Sequence, residues 1–136
     1  MHSTRTVGLS DARPIIDVGI AEADRIGTPS NIAVADAGGG PVAHLRMDGA
    51  QLGSIEHSID KANTSGLLRS AAGDLARDSE PGGQFWGMAL SGVGRVLVFA
   101  GGLPLRIDDE VVGAVGVSDG SPERDTAVAK AAAAAL

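Results

Sequence analysis

Hydrophobic positions change their period several times along this 136-residue chain, and each change marks an element. Ala12, Ile16, Gly19, Ala23 and Ile26 recur at helical spacing. Ser10 reads as the N-cap, Asp11 in the first turn favours the helix dipole, and Pro14 lies where a missing N–H costs little. Gly27-Thr28-Pro29 stops this helix. The period then falls to two. Residues 31–36, with Ile32 and Val34 on one face, and residues 42–47 read as strands of a hairpin around Gly38-Gly39-Gly40-Pro41. On the second strand, Val42, His44 and Arg46 share one face and Ala43, Leu45 and Met47 the other. Asp48 is placed to cap a helix running to residue 68, with a broken helical stretch to residue 78.

A polar, glycine-rich loop over 79–84, containing Glu80-Pro81-Gly82-Gly83, has the composition of a lid. Residues 95–100, 103–107 and 111–118 read as three more strands, the last two separated by Asp108-Asp109, and Thr6-Val7-Gly8 as a short opening strand or extension. Ser121 caps a final helix with Pro122 at its first position, and small residues over 127–136 allow close packing. Short turns between strands predict a mostly antiparallel sheet. Helices at the start, middle and end must cover its faces, so the expectation is one α+β layered domain over 1–136. Strict β-α-β alternation is missing, which argues against a doubly wound parallel sheet.

Composition narrows the partners. The apolar fraction is 43% with only Phe85, Trp86 and Phe99 as aromatics, so the core must be aliphatic. A net charge of -6 disfavours nucleic acid and anionic membrane surfaces, both of which need a cationic face. No apolar run approaches the roughly 20 residues of a membrane span. Residues 1–10 hold no apolar secretory segment, which gives the expectation of a cytoplasmic protein. Without cysteine there are no disulfides and no thiolate chemistry.

Candidate chemistry gathers on the middle helix. Ser54, His57, Lys61 and Thr64 stand at i, i+3, i+7 and i+10 and so share one face. An imidazole, an ammonium and a hydroxyl in line can bind a carboxylate or move a proton; the alternative is a solvated stripe in which Glu56 and Asp60 pair with Lys61. His57 is the first candidate for an acid/base group and His44, mid-strand beside Arg46, the second; His2 is terminal. No group of histidines and carboxylates has structural-metal spacing, so no metal site is expected. Arg46 either forks a ligand carboxylate or pairs with Asp48. Gly101-Gly102 forms either a pocket wall, where backbone approaches a ligand, or a bulge. Phe85 and Trp86 either close over a flat ligand or are buried by a second subunit. Asp125, near the start of the last helix, reads as a dipole partner or cap contact. No Gly-x-Ser-x-Gly elbow or Walker-type loop occurs.

The ordered series Asp36-Ala37-Gly38-Gly39, Arg46-Met47-Asp48-Gly49-Ala50, Lys61-Ala62-Asn63-Thr64, Gly101-Gly102-Leu103-Pro104 and the strand Val112-Gly113-Ala114-Val115-Gly116-Val117-Ser118, followed by Asp125, resembles the GlcG/HbpS family, which includes the C-terminal domains of PduO-type proteins. The chain departs from it in carrying Asp119-Gly120 where the family often has Gly-Gly. The resemblance implies a five-stranded antiparallel sheet with flanking helices, of profilin-like or PAS-like topology, and a homo-oligomer. It also implies a small-molecule ligand, haem or another tetrapyrrole, with His57 as axial ligand and Lys61, Thr64 or Arg46 at the propionates; His44, Trp86, Gly101 and Gly102 complete the expected binding set. Two other functions fit the same residues. One is a cofactor-free lyase or isomerase on a small organic acid, with His57, Lys61 and Arg46 as its catalytic groups. The other is an oligomeric accessory protein without chemistry.

Overall fold

A computed structural model gives the whole chain, residues 1–136. The first helix, α1 (Leu9–Ile26), starts one residue before the expected cap: Gly8 is the N-cap, and its N–H donates to the Asp11 carboxylate at 2.8 Å. Gly27 closes α1 in the left-handed region, φ 71°, a conformation glycine adopts without penalty. Ala12, Ile15, Ile16, Gly19 and Ala23 form its buried stripe.

Strands β1 (Asn31–Asp36) and β2 (Pro41–Arg46) pair antiparallel, with Ala33 opposite His44 and Asn31 opposite Arg46. Asp36 holds the turn between them, its Oδ1 accepting from the N–H groups of Gly38 and Gly40 at 2.9 Å each. After α2 (Ser54–Leu68) and the one-turn α3 (Ala76–Ser79), the chain makes two 3-10 turns, Met88–Leu90 and Gly92–Gly94. It then forms β3 (Gly102–Ile107), β4 (Glu110–Ser118) and α4 (Pro122–Ala133). The sheet order is β2-β1-β4-β3, antiparallel throughout.

The sheet therefore has four strands, not five. Residues 95–100 carry a strand-like sequence, Arg-Val-Leu-Val-Phe-Ala, but do not join the ladder. The Leu97 N–H donates to the Thr64 hydroxyl at 2.9 Å, so α2 claims the donor a neighbouring strand would have used. Gly92, Val93 and Gly94, all at positive φ, turn the chain just before it. The opening segment is likewise no strand: Val7 makes a single ladder-like bond to the Val112 carbonyl. The middle helix begins at Ser54 rather than near Asp48, because residues 47–53 are spent in turns.

Alternation along β1 and β4 divides the packing. Ile32, Val34, Val115 and Val117 face α1 and α4 and join the main core with Ile15 and Val128, all fully buried. Each such aliphatic side chain contributes about 1.5–3 kcal/mol on leaving water. Ala33, Ala35 and Ala62 form a thin second cluster under α2. There α2 lies so close to β4 that a Cβ on Gly116 would strike the Ser58 carbonyl and come within 2.6 Å of the Ala62 nitrogen. No helix is long and apolar enough to cross a membrane.

Candidate functional site

At the end of the sheet where β1 begins and β4 stops, a cleft of about 260 Å³ opens between the first two turns of α2 and the start of α4. Ser54, His57 and Lys61 line one wall, Ser118, Gly120, Pro122 and Asp125 the other, with Gln51, Phe99 and Ala100 at its margins. Helical spacing puts the first three on one side of α2. Asn31 fixes Gln51 by donating from Nδ2 to its carbonyl at 2.9 Å, and Thr28 donates to the Asp119 carboxylate, tying the β4–α4 turn to the end of α1.

Lys61 lies deepest. It is 3% exposed, and its Nζ donates to the Val117 carbonyl and to Asp125 Oδ2, both at 2.9 Å. Because α2 and α4 cover opposite faces, this side chain crosses the plane of the sheet where β3 begins. Gly101 makes room: it sits at φ 112°, and a Cβ there would come within 2.9 Å of the Asp125 Cβ and 3.1 Å of Lys61 Nζ. The expected pairing of Lys61 with Glu56 or Asp60 is replaced by this one. Asp60 pairs instead with Arg95 at 3.1 Å. Asp125 lies in the first turn of α4, as expected, and is in addition a buried ion-pair partner. Burial pushes its carboxyl above the usual carboxylate range, and Lys61 opposes this only in part. Asp125 Oδ1 has no hydrogen-bond partner.

The other anticipated residues disperse. His57 is exposed at the cleft mouth, edge-on to Phe99 with ring centroids 6.3 Å apart. Thr64 is buried one turn beyond the cleft and anchors residues 95–97. His44 lies on the edge strand β2, on the face that α2 covers; its Nε2 is buried and unpartnered, and desolvation, with Arg46 nearby, holds its pKa below the usual imidazole value. Arg46 is exposed and pairs with no carboxylate, Asp48 included. Gly101 and Gly102 line a second cleft of about 310 Å³ with Asp74, Thr126 and Lys130, on the far side of Ala100. Trp86 and Phe85 are exposed and line neither cleft. Sequence reasoning missed Phe99, Arg95 and the Lys61–Asp125 pair. The signs of that pair were a lysine at a position the helical pattern could bury and the presence of both residues in the ordered motif series.

Fold and cleft together define an α+β layered domain, one antiparallel sheet between helices with a polar cleft at one sheet end. A family model described as haem degrading protein HbpS-like matches residues 7–134, and the chain belongs to that HbpS-like family. An uncharacterised 15.0 kDa protein of the dhaT–dhaS intergenic region of Citrobacter freundii is 35% identical over 93% of this chain and 89% of its own length. The corrinoid adenosyltransferase PduO of Salmonella typhimurium is 32% identical over 99% of the chain, which spans only 41% of that protein. Among solved structures, Klebsiella pneumoniae ORFY superposes with a TM-score of 0.96 at 30% identity, covering 99% of this chain and 93% of ORFY. A complex of PduOC with haem superposes at 0.91 and 29%, covering 96% and 95%. A double mutant of Streptomyces reticuli HbpS superposes at 0.87 and 26%, covering 100% and 90%.

Proposed function

We propose that this chain binds haem or a related tetrapyrrole on the surface around His57. The observation that carries the reading is the likeness to the PduOC–haem complex along 96% of the chain. The residues present fit such a ligand. The cleft itself, at about 260 Å³, falls below the roughly 300–1,000 Å³ of pockets that hold drug-sized ligands, so a macrocycle rests across its mouth rather than inside. There an exposed imidazole can reach an iron, Phe99 offers an apolar edge, and Arg95, 44% exposed and next to His57 by way of Asp60, offers a propionate a guanidinium. Bound haem supplies an iron centre whose properties follow its axial ligand. Lys61 lies buried on the cleft floor rather than at its mouth, Thr64 is already hydrogen-bonded inside the chain, and Arg46 lies outside the cleft, which weakens their assignment to propionates. The same facts weaken a cofactor-free reaction that relies on Arg46 and a free Lys61.

Trp86, Leu90 and Val93 stand 68%, 84% and 99% exposed on one segment, an apolar surface that we assign to contact with a second copy. The test of the ligand is a hemin titration of the full chain followed at the Soret band. A saturable shift that is lost in His57→Ala and kept in His44→Ala is expected. No saturable shift, or an unaltered one in His57→Ala, removes the assignment.

A further inference from the structure

The floor of the cleft is chemically unlike its mouth. Lys61 and Asp125 are both more than nine-tenths buried, and only one of the two Asp125 oxygens is used. A buried carboxylate oxygen without a donor is costly to leave so, and such groups in native proteins have a reason. Lys61 has three N–H donors, of which two are engaged. Ser54 and Ser118 add hydroxyls, and the Ser54 hydroxyl meets only Gln51, at a long 3.5 Å. The start of α4 adds the partial positive charge of a helix N-terminus. Donors with spare capacity therefore line the space beside one unpartnered acceptor, Asp125 Oδ1. A volume of about 260 Å³ admits a ligand of on the order of ten non-hydrogen atoms.

We propose that the cleft floor is a second ligand site, for a small hydroxy acid whose hydroxyl donates to Asp125 Oδ1 while its carboxylate accepts from Lys61 and the Ser54 and Ser118 hydroxyls. This site lies beneath the surface assigned to a tetrapyrrole, in the same cleft, and draws on the α2–α4 pair at its floor rather than on His57 at its mouth. Neither ligand group can be dispensed with. An acid without the hydroxyl leaves Oδ1 unpaired, and a polyol without the carboxylate leaves the donors facing a neutral group.

The test is a two-dimensional 15N–1H titration of the full chain with lactate and glycerate, with propionate and glycerol as controls. Saturable shifts confined to amides of residues 51–61 and 118–125 are expected, with propionate and glycerol at least about ten-fold weaker, because a site built to pair a hydroxyl rejects the analogue lacking it. Asp125→Asn should reduce the preference for lactate over propionate to within about three-fold. Ser54→Ala, whose hydroxyl supports little of the fold, should weaken lactate while leaving the remaining spectrum in place. Absence of saturable shifts from both hydroxy acids, equal binding of lactate and propionate, or shifts centred outside these segments would overturn the proposal. A hemin titration of the same sample separates the two sites. Lactate binding with no Soret shift removes the tetrapyrrole reading alone, and a Soret shift without lactate binding removes the cleft alone.

Discussion

Replacing Lys61 with methionine keeps the length and apolar stem of the side chain while deleting the charge and three donors. Asp125 would then be a carboxylate that is 3% exposed with neither oxygen partnered, and the Val117 carbonyl would lose its side-chain donor. Breaking one half of a buried pair costs about 3–5 kcal/mol, whereas replacing both halves by apolar groups is often close to neutral. At about 4 °C per kcal/mol for a chain of this size, Lys61→Met should melt roughly 12–20 °C lower. The doubly substituted Lys61→Met/Asp125→Leu protein should recover most of that loss. The pH dependence gives the reasoning a second handle. A carboxyl with a raised pKa in the folded state binds its proton more tightly there than in the unfolded chain. Its contribution to stability is present below the ordinary aspartate range and is lost as pH rises through the raised value. Without Lys61 the pKa must rise further, since the one group that lowered it strongly is gone. The penalty of Lys61→Met should therefore be smaller at acid than at neutral pH, because Asp125 takes up a proton as pH falls through its raised value. Urea unfolding by far-ultraviolet circular dichroism at both pH values measures this. A loss below about 1 kcal/mol, or one equal at both pH values, would refute the claim that an uncompensated buried carboxylate is what Lys61 prevents.

Thr64→Val should expose the Leu97 amide by removing the hydroxyl that accepts from it at 2.9 Å, at a cost of about 1 kcal/mol. Hydrogen exchange should quicken at Leu97 and its neighbours and not in β3 or β4. The exposed segment ending in Val93 should place the wild-type chain above monomer mass in sedimentation equilibrium at micromolar concentration. Val93→Asp should return it to monomer without a lower melting temperature, because Val93 is 99% exposed and buries nothing within the chain.

The layered architecture was legible because its cues are local. Period-two runs bounded by glycine gave β1 and β2, a continuous apolar run gave β4, the Asp108-Asp109 pair gave the last hairpin, and Ser121-Pro122 gave the start of α4. The fifth strand failed because strand propensity in residues 95–100 says nothing about whether a ladder has a vacancy. Here the Thr64 hydroxyl, more than thirty residues away, takes the Leu97 amide. The site was half legible. Helical spacing on α2 brought Ser54, His57 and Lys61 to one cleft, as i, i+3 and i+7 must. It could not tell which of them would be buried, for burial depends on α4 and on Gly101, both distant in sequence. The pairing of Asp125 with Lys61 stayed hidden for the same reason: a carboxylate in a first helical turn has a sufficient local explanation, which hides a long-range one.

All three aromatic rings of this protein lie between residues 85 and 99, outside the aliphatic core. Trp86 is the sole indole, and tyrosine is absent. Ultraviolet emission from the chain is consequently blind to the melting of its interior and reports on one exposed arm. Whatever settles on that arm, whether a flat pigment or a sister molecule, must shift or quench the signal, so the protein carries a built-in optical gauge of its own encounters.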